Sequence, residues 1–320
     1  MEELLKASAV IGGLGGALAL LLVIADGLFN RYGDVMIDVN GGSRHLKVRG
    51  GNSLLIGLMT QKIFIPSACG GRATCAYCKV KVLSGGGPIL PMEEPYLSPA
   101  ERAAGVRLSC QVKLRNDIAV EIPEDLFAIR QYEAVVESMT DLTYDIKELR
   151  FRLTNPPTIS FKPGQYIQLE APEYPGNPQP VYRAYSMSSP AQENGGIELI
   201  IRQAPNGVCT TWVFRYLKVG DRVRLNGPYG DFWLRPTERR IVFIAGGSGF
   251  APFKSIIQSQ PEELSRRGTT FFFGARARKD LFHLDFMQRY TGRYAGLRFI
   301  PALSMPEPGD EWTGERGLIT

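Results

Sequence analysis

Residues 67–78 of the chain read SACGGRATCAYC, so that Cys69, Cys75 and Cys78 follow the spacing C-x5-C-x2-C. A fourth cysteine, Cys110, lies far downstream in the segment LSCQ. Three thiolates from one loop and a fourth from a distant segment form the ligand pattern of a plant-type [2Fe–2S] cluster. Small residues fill most of the intervening positions, which lets the backbone approach inorganic sulfides closely and donate N–H groups to them. We therefore predict that these four cysteines bind a [2Fe–2S] cluster.

A structural zinc site is the main alternative for the same four thiolates. Zinc sites usually pair their ligands as two C-x2–4-C knuckles, and this chain has one such knuckle. A disulfide framework is disfavoured, because the N-terminal segment discussed below predicts a cytoplasmic location for the cysteines. A zinc-stabilised binding module would be colourless, whereas an iron–sulfur protein absorbs visible light.

Composition narrows the classes of function. The chain has 320 residues, a formal net charge of +5 and 44% hydrophobic residues, which fits two or three globular domains. It has no long block of Lys or Arg, so nucleic acid is not a predicted partner. The chain contains 2 histidines, His45 and His283, which argues against a Rieske centre with its two His ligands. One cysteine, Cys209, is left over once the cluster has its ligands.

The N-terminal segment Ala7–Ala25 carries no charged side chain. As a helix it would be about 28 Å long, close to the hydrocarbon thickness of a bilayer. Gly12 and Gly16 belong to a repeat of small residues that lets a neighbouring membrane helix approach closely. A cleaved signal peptide is the alternative, but the leading region lacks the basic character of such peptides. We predict that residues 1–30 form a transmembrane helix, single-pass in the cell inner membrane, with the following domains in the cytoplasm.

The rest of the chain divides by its periodicity into three regions. Residues 31–128 alternate as strands around a short helix and the cysteine loop, which predicts a β-grasp ferredoxin-type domain. Residues 129–236 consist of short strands with Pro/Gly turns, typical of a small antiparallel barrel. Residues 237–320 contain continuous apolar runs such as Ile241–Ala245, which predict buried parallel strands of a doubly wound nucleotide-binding domain. The predicted fold class is multidomain, α+β and α/β, behind a membrane helix.

Two motifs in the second region fit a flavin nucleotide. Residues 183–186 read RAYS at the end of a predicted strand, and residues 207–210 read GVCT at the head of a predicted helix. A helix N-terminus favours a pyrophosphate, and an arginine adds a charge-assisted contact. The tyrosine and serine can stack on an isoalloxazine ring and hydrogen-bond to its N5. Alternatively, Tyr185 is a core aromatic and Thr210 only a helix cap; the combination of motifs favours the flavin.

A glycine-rich turn lies in the third region, where residues 246–252 read GGSGFAP between a predicted strand and a predicted helix. In that context such a turn binds phosphate. It departs from G-x-G-x-x-G, because Pro252 stands where the last glycine would be. The nucleophile elbow G-x-S-x-G fails on the same residues, since Phe250 occupies its last glycine position. Ser248 is therefore not a predicted hydrolase nucleophile.

The ordered set C-x5-C-x2-C…C, R-x-Y-S, G-x-x-T and GGSGFAP resembles the ferredoxin–NADP reductase superfamily with a fused N-terminal ferredoxin. More narrowly, the chain is similar to the family of F subunits of sodium-translocating NADH:quinone reductases. Further stretches carry this resemblance: SGGG at 84–87, AYS at 184–186, GAR at 274–276 and WTG at 312–314. The family has one membrane helix followed by ferredoxin, FAD and NADH domains. The resemblance implies an NADH-dependent oxidoreductase that passes electrons from NADH through FAD and a [2Fe–2S] cluster to a membrane partner or quinone.

The resemblance also implies cofactor contacts and partners. It assigns FAD to Arg183, Tyr185 and Ser186, the FAD pyrophosphate to Gly207 and Thr210, and the dinucleotide to Gly246, Gly247 and Gly249. Tyr185, Ser186 and Cys209 would be catalytic, although Cys209 can equally be a small core hydrophobe. The implied partners are NADH, membrane subunits bound through the N-terminal helix and, indirectly, quinone.

Two departures from the family leave alternatives open. The stretch between Glu170 and Arg183 is shorter than the insertion that the sodium-pump subunit carries. The chain also ends before the C-G-P-x-x-M strand end of the superfamily, so we expect a fragment with an incomplete nucleotide domain, in which strands such as Leu297–Ile300 are poorly covered. The alternatives in function are the reductase component of a multicomponent oxygenase and an electron carrier without NADH turnover. Basic residues also keep NADPH open as the donor: Arg276, Arg278 and Lys279.

Overall fold

The computed structural model describes residues 2–29 and 32–319. The chain begins with a helix, α1 (Glu2–Phe29). Its side chains are described from residue 11 to residue 24, and all of them are exposed. Within the described residues, no helix combines the length and the apolar character that a membrane crossing requires. The predicted boundary between residues 30 and 31 lies outside the described part of the chain.

The chain divides into two compact units. The first comprises Met1–Ile65 and Gly71–Leu126, and the second comprises Pro66–Gly70 and Phe127–Thr320. Of the four cluster cysteines, Cys69 therefore belongs to the second unit, and the other three belong to the first.

The first unit is built on a mixed five-stranded sheet. Its strands are β1 (Asp34–Val39), β2 (Arg44–Arg49), β3 (Lys79–Ser84), β4 (Val106–Leu108) and β5 (Ile118–Glu121). They lie in the order β2-β1-β5-β3-β4, with β5 parallel to β1 and the other neighbours antiparallel. This is the β-grasp arrangement that the sequence predicts.

Capping patterns in the sequence predict the starts of two short helices in the first unit, one at Asn52 or Ser53 and one at the capping box SPAE of residues 98–101, and the structure has both. In α2 (Leu54–Thr60), the Ser53 hydroxyl accepts a hydrogen bond from the backbone of the first turn. In α3 (Pro99–Ala103), Ser98 and Glu101 form a reciprocal capping box. Each cap satisfies N–H groups that lack a partner inside the helix.

The fourth cysteine differs in its local structure from the prediction. The sequence places Cys110 on a strand, but β4 ends at Leu108, and Cys110 lies in the turn that follows. The pairing of β4 with β3 ends at Leu108, and the Gln111 N–H donates to the Leu108 carbonyl over 2.8 Å. The chain therefore turns back at Cys110 instead of continuing the sheet.

The second unit begins with an antiparallel barrel. Its strands are β6 (Arg130–Asp141), β7 (Ile146–Asn155), β8 (Tyr166–Ala171), β9 (Val181–Ser186), β10 (Gly196–Arg202) and β11 (Arg222–Tyr229). They pair in the order β10-β7-β6-β11-β8-β9, and a bridge between Met187 and Leu199 joins the two outer strands. The closed sheet surrounds fully buried side chains such as Phe151 and Ile167. One helix, α4 (Val208–Arg215), lies against β8 and β9.

The remainder of the second unit is a parallel α/β layer. Its strands are β12 (Ile241–Gly246), β13 (Thr269–Ala275), β14 (Leu297–Leu303) and β15 (Glu315–Arg316), which are parallel and lie in that order. Its helices are α5 (Phe250–Ser259), α6 (Pro261–Arg267) and α7 (Leu284–Arg293). Barrel residues Ile146 and Ile200 belong to the same buried cluster as Phe250 and Phe271. The barrel and the α/β layer thus share one apolar core.

The expectation that β12 is buried on both faces is wrong. Val242 and Ile244 are 60% and 54% exposed, whereas the alternate residues of the strand are buried, so one face of β12 is uncovered within the described residues. By contrast, Leu297 of β14 is 2% exposed. The exposed apolar side chains therefore lie on the first strand of this layer, and not at Leu297, where the sequence predicts poor coverage.

A buried ion pair stabilises the loop and strand that precede Cys110. Glu93 and Arg107 are 0% and 4% exposed, and their closest charged atoms, Oε2 and Nη2, lie 2.6 Å apart. The guanidinium also donates to the carbonyl oxygens of residues 86–88. The carboxylate accepts the backbone N–H of Leu108 over 3.0 Å. The pair of Glu93 with Arg107 therefore connects β4 to the Gly-rich loop at residues 86–88.

Replacing Arg107 with Met should destabilise the first unit by about 3–5 kcal/mol, because removal of one partner leaves the other charge buried and unpaired. Native-state hydrogen exchange at the Leu108 amide measures this loss. A matched control is Lys81→Met, which removes a half-exposed pair with Glu121 (2.8 Å) and should cost less than about 1 kcal/mol. Equal losses in the two variants would contradict the interpretation.

The pair of Glu93 with Arg107 also makes the stability of the first unit fall at low pH. Burial raises the pKa of Glu93, but hydrogen bonds from Arg107 and from two backbone N–H groups outweigh it and hold the pKa below the ordinary value of 4.5. A carboxyl with a lowered pKa contributes stability above its unfolded pKa and loses it as the pH falls through the folded value. Protection of Leu108 should therefore decline below about pH 4.5 and decline less in Glu93→Gln.

Candidate functional site

The first group of predicted site residues lies where β9 and α4 meet on the barrel. The register of β8 and β9 sets Tyr166 opposite Ser186 and Ile167 opposite Tyr185. The N-cap of α4 is Gly207, which provides no side-chain cap. A helix that begins without a side-chain cap leaves its first N–H groups for an anion such as a phosphate. The backbone at this helix start therefore fits the pyrophosphate of a dinucleotide.

The Thr210 hydroxyl holds the turn that leads into α4. It donates to the Gly207 carbonyl over 3.1 Å and accepts the Ala204 N–H over 3.2 Å. Thr210 therefore shapes the helix start through its side chain.

The structure brings Tyr185, Cys209 and Arg183 together. The Tyr185 hydroxyl donates a hydrogen bond to the Cys209 thiol, and burial raises the pKa of Tyr185 well above its ordinary range. Burial also raises the pKa of Cys209 to about 11, against the opposing influence of Tyr185 and the Arg183 charge. Both groups are therefore protonated at neutral pH. Cys209 is 1% exposed and belongs to the barrel core.

A second group of predicted residues lines a cavity of about 350 Å³ in the α/β layer. Gly246 and Gly247 at the end of β12 form one wall, and Gly274 of β13 forms another. Gly247 has φ +53, a conformation that favours glycine. Nucleotides bind in crevices at the carboxyl ends of parallel strands, which is the position of this cavity. Gly249 is the N-cap of α5 and provides no side-chain cap.

Charged residues that no motif marks also line this cavity. Asp145 and Arg202 come from the barrel and form an ion pair of 2.7 Å, and Asp280 follows β13. Sequence reasoning missed all three, because their neighbours in the chain carry no motif and only folding brings them to the crevice. Ile319 also reaches the cavity, where its side chain covers Gly274.

The three basic residues considered for a 2′-phosphate have different surroundings. Arg276 lines the cavity. Lys279 pairs with Glu307 over 2.5 Å, and the Arg278 guanidinium donates to the Asp310 carbonyl over 3.1 Å. The structure therefore brings one of the three to the crevice.

In the first unit, Cys78 and Cys110 are in contact. The Cys78 thiol donates to the Cys110 sulfur, which raises the pKa of Cys78 above its ordinary value, as burial also does. This donor lowers the pKa of Cys110 to about 6 against the effect of burial, helped by the Gln111 side chain and the Ala73 backbone. The Gln111 amide nitrogen lies 3.2 Å from the Cys110 sulfur. Gln111, which the motif does not include, is thus a hydrogen-bond donor at the predicted cluster site.

The loop between the first three cysteines has an unusual backbone. Four of its residues have positive φ: Gly70 (66°), Gly71 (89°), Ala73 (57°) and Ala76 (57°). Left-handed residues in a loop turn successive N–H groups toward one concave side, where they bind anions. Such N–H groups and the N–H donors at the Cys110 sulfur suit inorganic sulfides and thiolates. The residues present therefore fit an iron–sulfur cluster.

Among the residues that the structure describes, no group of three or more His, Cys, Asp or Glu is arranged to hold a metal ion. Cys78 and Cys110, both in the first unit, are two predicted ligands that the structure brings into contact.

Three protein-family models match successive parts of the chain. They are the 2Fe-2S iron-sulfur cluster binding domain at residues 37–115, the oxidoreductase FAD-binding domain at residues 133–233 and the oxidoreductase NAD-binding domain at residues 243–320. The [2Fe–2S], FAD and NADH cofactors inferred from the sequence are confirmed.

Curated relatives match almost the whole chain. The F subunit of the Na(+)-translocating NADH-quinone reductase from Neisseria meningitidis is 36% identical, over 94% of this chain and 83% of the relative. Its counterpart from Pseudomonas aeruginosa is 37% identical, over 95% of this chain and 83% of the relative. The chain belongs to this family of F subunits. It is an NADH-dependent oxidoreductase that transfers electrons from NADH through FAD to a [2Fe–2S] cluster, as the resemblance implied.

Solved structures of oxygenase reductases share the fold of this chain. The Amycolatopsis cytochrome P450 reductase GcoB is 30% identical with a TM-score of 0.65, and covers 89% of this chain and 84% of its own. The ferredoxin reductase in carbazole 1,9a-dioxygenase is 26% identical with a TM-score of 0.64 and the same two coverages.

Asp280 is predicted to lower the preference of the nucleotide cavity for NADPH, against the attraction that Arg276 exerts on a 2′-phosphate. A 2′-phosphate would bring added negative charge toward Asp280, and Arg202 is already paired with Asp145. In Asp280→Asn, the ratio of kcat/KM for NADPH to that for NADH should rise roughly five- to tenfold, since one like-charge contact is worth about 1 kcal/mol. The exposed Asp285, which does not line the cavity, serves as the control in Asp285→Asn. An unchanged ratio in Asp280→Asn would refute this assignment.

Proposed function

We propose that this chain is the membrane-anchored entry subunit of an NADH:quinone reductase. Residues 1–30 anchor it, residues 31–128 bind the cluster, residues 129–236 bind FAD and residues 237–320 bind NADH. Electrons leave the cluster for membrane subunits and, through them, reach quinone. The observation that carries the proposal is the presence of RAYS and the glycine-lined cavity in one compact unit.

The flavin side of the proposal rests on the elements at the barrel surface. FAD, when bound, supplies the conversion of a two-electron donor into single-electron transfers. Arg183 and the start of α4 neutralise the pyrophosphate. Tyr185 and Ser186 contact the ring, and the hydrogen bond from Tyr185 to Cys209 fixes the orientation of the phenol. Cys209, which is buried in the barrel core, supports Tyr185 as a neutral thiol.

The nucleotide side rests on the crevice at the end of β12. Gly246, Gly247 and Gly249 bring backbone N–H groups close to the dinucleotide phosphates. A side chain at Gly247 would strain the backbone at φ +53. These glycines thus bind the substrate, and the barrel presents the flavin.

The cluster assignment predicts a specific loss in each ligand variant. Serine in place of Cys69, Cys75, Cys78 or Cys110 should abolish the visible absorbance of the cluster and the paramagnetic signal of the reduced protein, because the cluster needs four thiolates. Flavin content should be retained, since FAD binds to other residues. Absorbance and paramagnetic resonance spectra of the purified full-length variants measure the cluster and the flavin content.

Cys209→Ser is the matched control and should keep the cluster signal. Retention of the full signal in any of the four ligand variants would overturn the assignment. A colourless wild-type protein that contains zinc would replace the electron-transfer proposal with a binding module.

The membrane anchor rests on α1. The helix has 28 residues, which corresponds to about 42 Å. Its described side chains include exposed apolar residues such as Leu14 and Leu18, and a Cβ at Gly12 or Gly16 would meet no atom within 4 Å. Apolar side chains on a helix without packed neighbours favour burial in lipid or against membrane helices.

Substitution in α1 should release the protein from membranes. Leu18→Arg costs about 3 kcal/mol for a charge near the centre of a membrane helix, so carbonate washing should extract more protein than it does from wild type. Val219→Arg, at an apolar position that is 60% exposed on the barrel, should extract like wild type. NADH oxidation with ferricyanide should be equal in all three proteins.

The similarity to the two oxygenase reductases supports a second candidate for the electron acceptor, a soluble oxygenase. Full extraction of the wild-type protein by carbonate would favour this candidate. Copurification with membrane subunits in detergent would favour the quinone reductase.

A further inference from the structure

Charged side chains from the barrel and the α/β layer meet in the buried seam inside the second unit. Lys254 of α5 is 7% exposed at its side chain, and Glu148 of β7 and Glu198 of β10 are 18% and 15% exposed. His283, at the N-cap of α7, joins them at 14%. We call these four residues the seam cluster.

The contacts of the seam cluster are direct. The Lys254 ammonium lies 2.6 Å from Oε1 of Glu148 and also contacts Oε1 of Glu198. Nε2 of His283 lies 2.9 Å from the same Oε1 of Glu148. The Ser188 hydroxyl donates to Oε1 of Glu198 over 2.9 Å. Lys254 thus joins two barrel strands to one helix of the α/β layer.

The charge balance of the seam cluster depends on Lys254. Burial raises the pKa of Glu148, but His283 and Lys254 outweigh it and hold the pKa at about 2. Loss of the ammonium would leave two buried carboxylates with His283 and a hydroxyl. Uncompensated buried charge draws in water or separates the surfaces that enclose it.

The helix that carries Lys254 also carries the nucleotide loop. α5 begins at Phe250, directly after Gly246–Gly249, so Lys254 lies about one turn into the helix. Phe250 is fully buried, and its ring centre lies 5.5 Å from that of His283. The seam cluster therefore lies immediately behind the phosphate-binding turn.

The far end of α5 is also attached to the barrel. The Ala191 N–H donates to the Ser259 hydroxyl over 3.0 Å, and the Gln192 side chain donates to the Ser259 carbonyl over 3.0 Å. Lys254 and Ser259 thus hold the helix at two points. The Lys254 contacts are the ones nearest to the glycines.

We propose that Lys254 is a positioning residue, which fixes the distance between the nucleotide loop and the flavin face of the barrel. The inference rests on the proposed placement of NADH at Gly246–Gly249. The glycines that bind the dinucleotide belong to the α/β layer. The barrel residues that also line the cavity, Asp145 and Arg202, pair with each other outside the seam cluster, so the contacts that set affinity do not pass through Lys254. The reaction distance depends on how α5 sits on the barrel. A misplacement of about 1 Å can cost on the order of 10²-fold in rate.

The test compares binding with reaction in the full-length holoprotein. In Lys254→Met, stopped-flow flavin reduction at saturating NADH should slow by roughly 10- to 100-fold. The NADH dissociation constant should change by less than about threefold, because only the reaction step is affected. Amides of α5 should exchange hydrogen faster than in wild type, a readout that does not depend on turnover. Faster hydrogen exchange in α5 together with an unchanged rate of flavin reduction would overturn the proposal.

Two further variants keep the test decisive. Lys147→Met removes a neighbouring lysine of β7 that pairs with Asp141, and it should leave rate and exchange unchanged. Lys254→Met with Glu198→Gln removes one ammonium and one carboxylate charge, so the protein should fold even if the single variant does not. In the double variant, hydrogen exchange in α5 should be slow again, and part of the wild-type rate of flavin reduction should return. If the double variant reduced its flavin as fast as wild type and showed wild-type hydrogen exchange in α5, net charge alone would matter. That result would also overturn the proposal.

A separate variant distinguishes failure of this inference from failure of the proposed function. Gly247→Val places a branched side chain at φ +53 in the loop and should weaken NADH binding at least tenfold, since about 1.4 kcal/mol of strain corresponds to that factor. Unchanged binding in Gly247→Val would refute the nucleotide site itself. Weakened binding there, with equal rates in wild type and Lys254→Met, would refute only the role of Lys254.

Discussion

Transfer of a hydride requires contact between donor and acceptor rings, so the surfaces that bind nucleotide and flavin must be held in fixed relation. In this chain the requirement is met by a shared core. Ile146 and Ile200 project from barrel strands into the same buried cluster as the phenylalanines of the α/β layer. The cavity at the end of β12 is lined from both sides as well, by Arg202 of the barrel and Gly246 of the sheet. Apolar contacts hold the barrel against the α/β layer, and the seam cluster fixes how the two are aligned.

Each of the two units contains buried charged side chains that pair with each other and connect separate segments of the chain. Arg107 joins a Gly-rich loop to the strand before Cys110, and Lys254 joins two strands to the helix after Gly249. Buried pairs contribute little net stability but exclude alternative arrangements, because a shifted partner leaves a charge without a counterion. The exposed pairs of the molecule, such as Lys47 with Asp34, lack this effect. Each buried group lies a few residues from positions that touch a cofactor in the proposed function.

The sequence predicts local features of this fold well. The caps at Ser53 and Ser98 appear where the pattern places them, since each depends on a few neighbouring residues. The seam cluster could not be predicted, because Glu148 and Lys254 are separated by 106 positions and neither lies in a motif. The turn at Cys110 follows from where β4 stops pairing, and the exposure of Val242 follows from which face of β12 is covered; the residue pattern encodes neither. The position of Asp280 in the nucleotide cavity could not be predicted either, because only folding brings it to the crevice.

The burial of Cys209 in the barrel core has a practical consequence for chemical labelling. A thiol that is 1% exposed, with a pKa of about 11, offers almost no thiolate to an alkylating reagent. Cys209 is therefore silent toward iodoacetamide in the folded chain. Alkylation at this position requires the barrel core to open, so a mass increase there would report unfolding of the barrel.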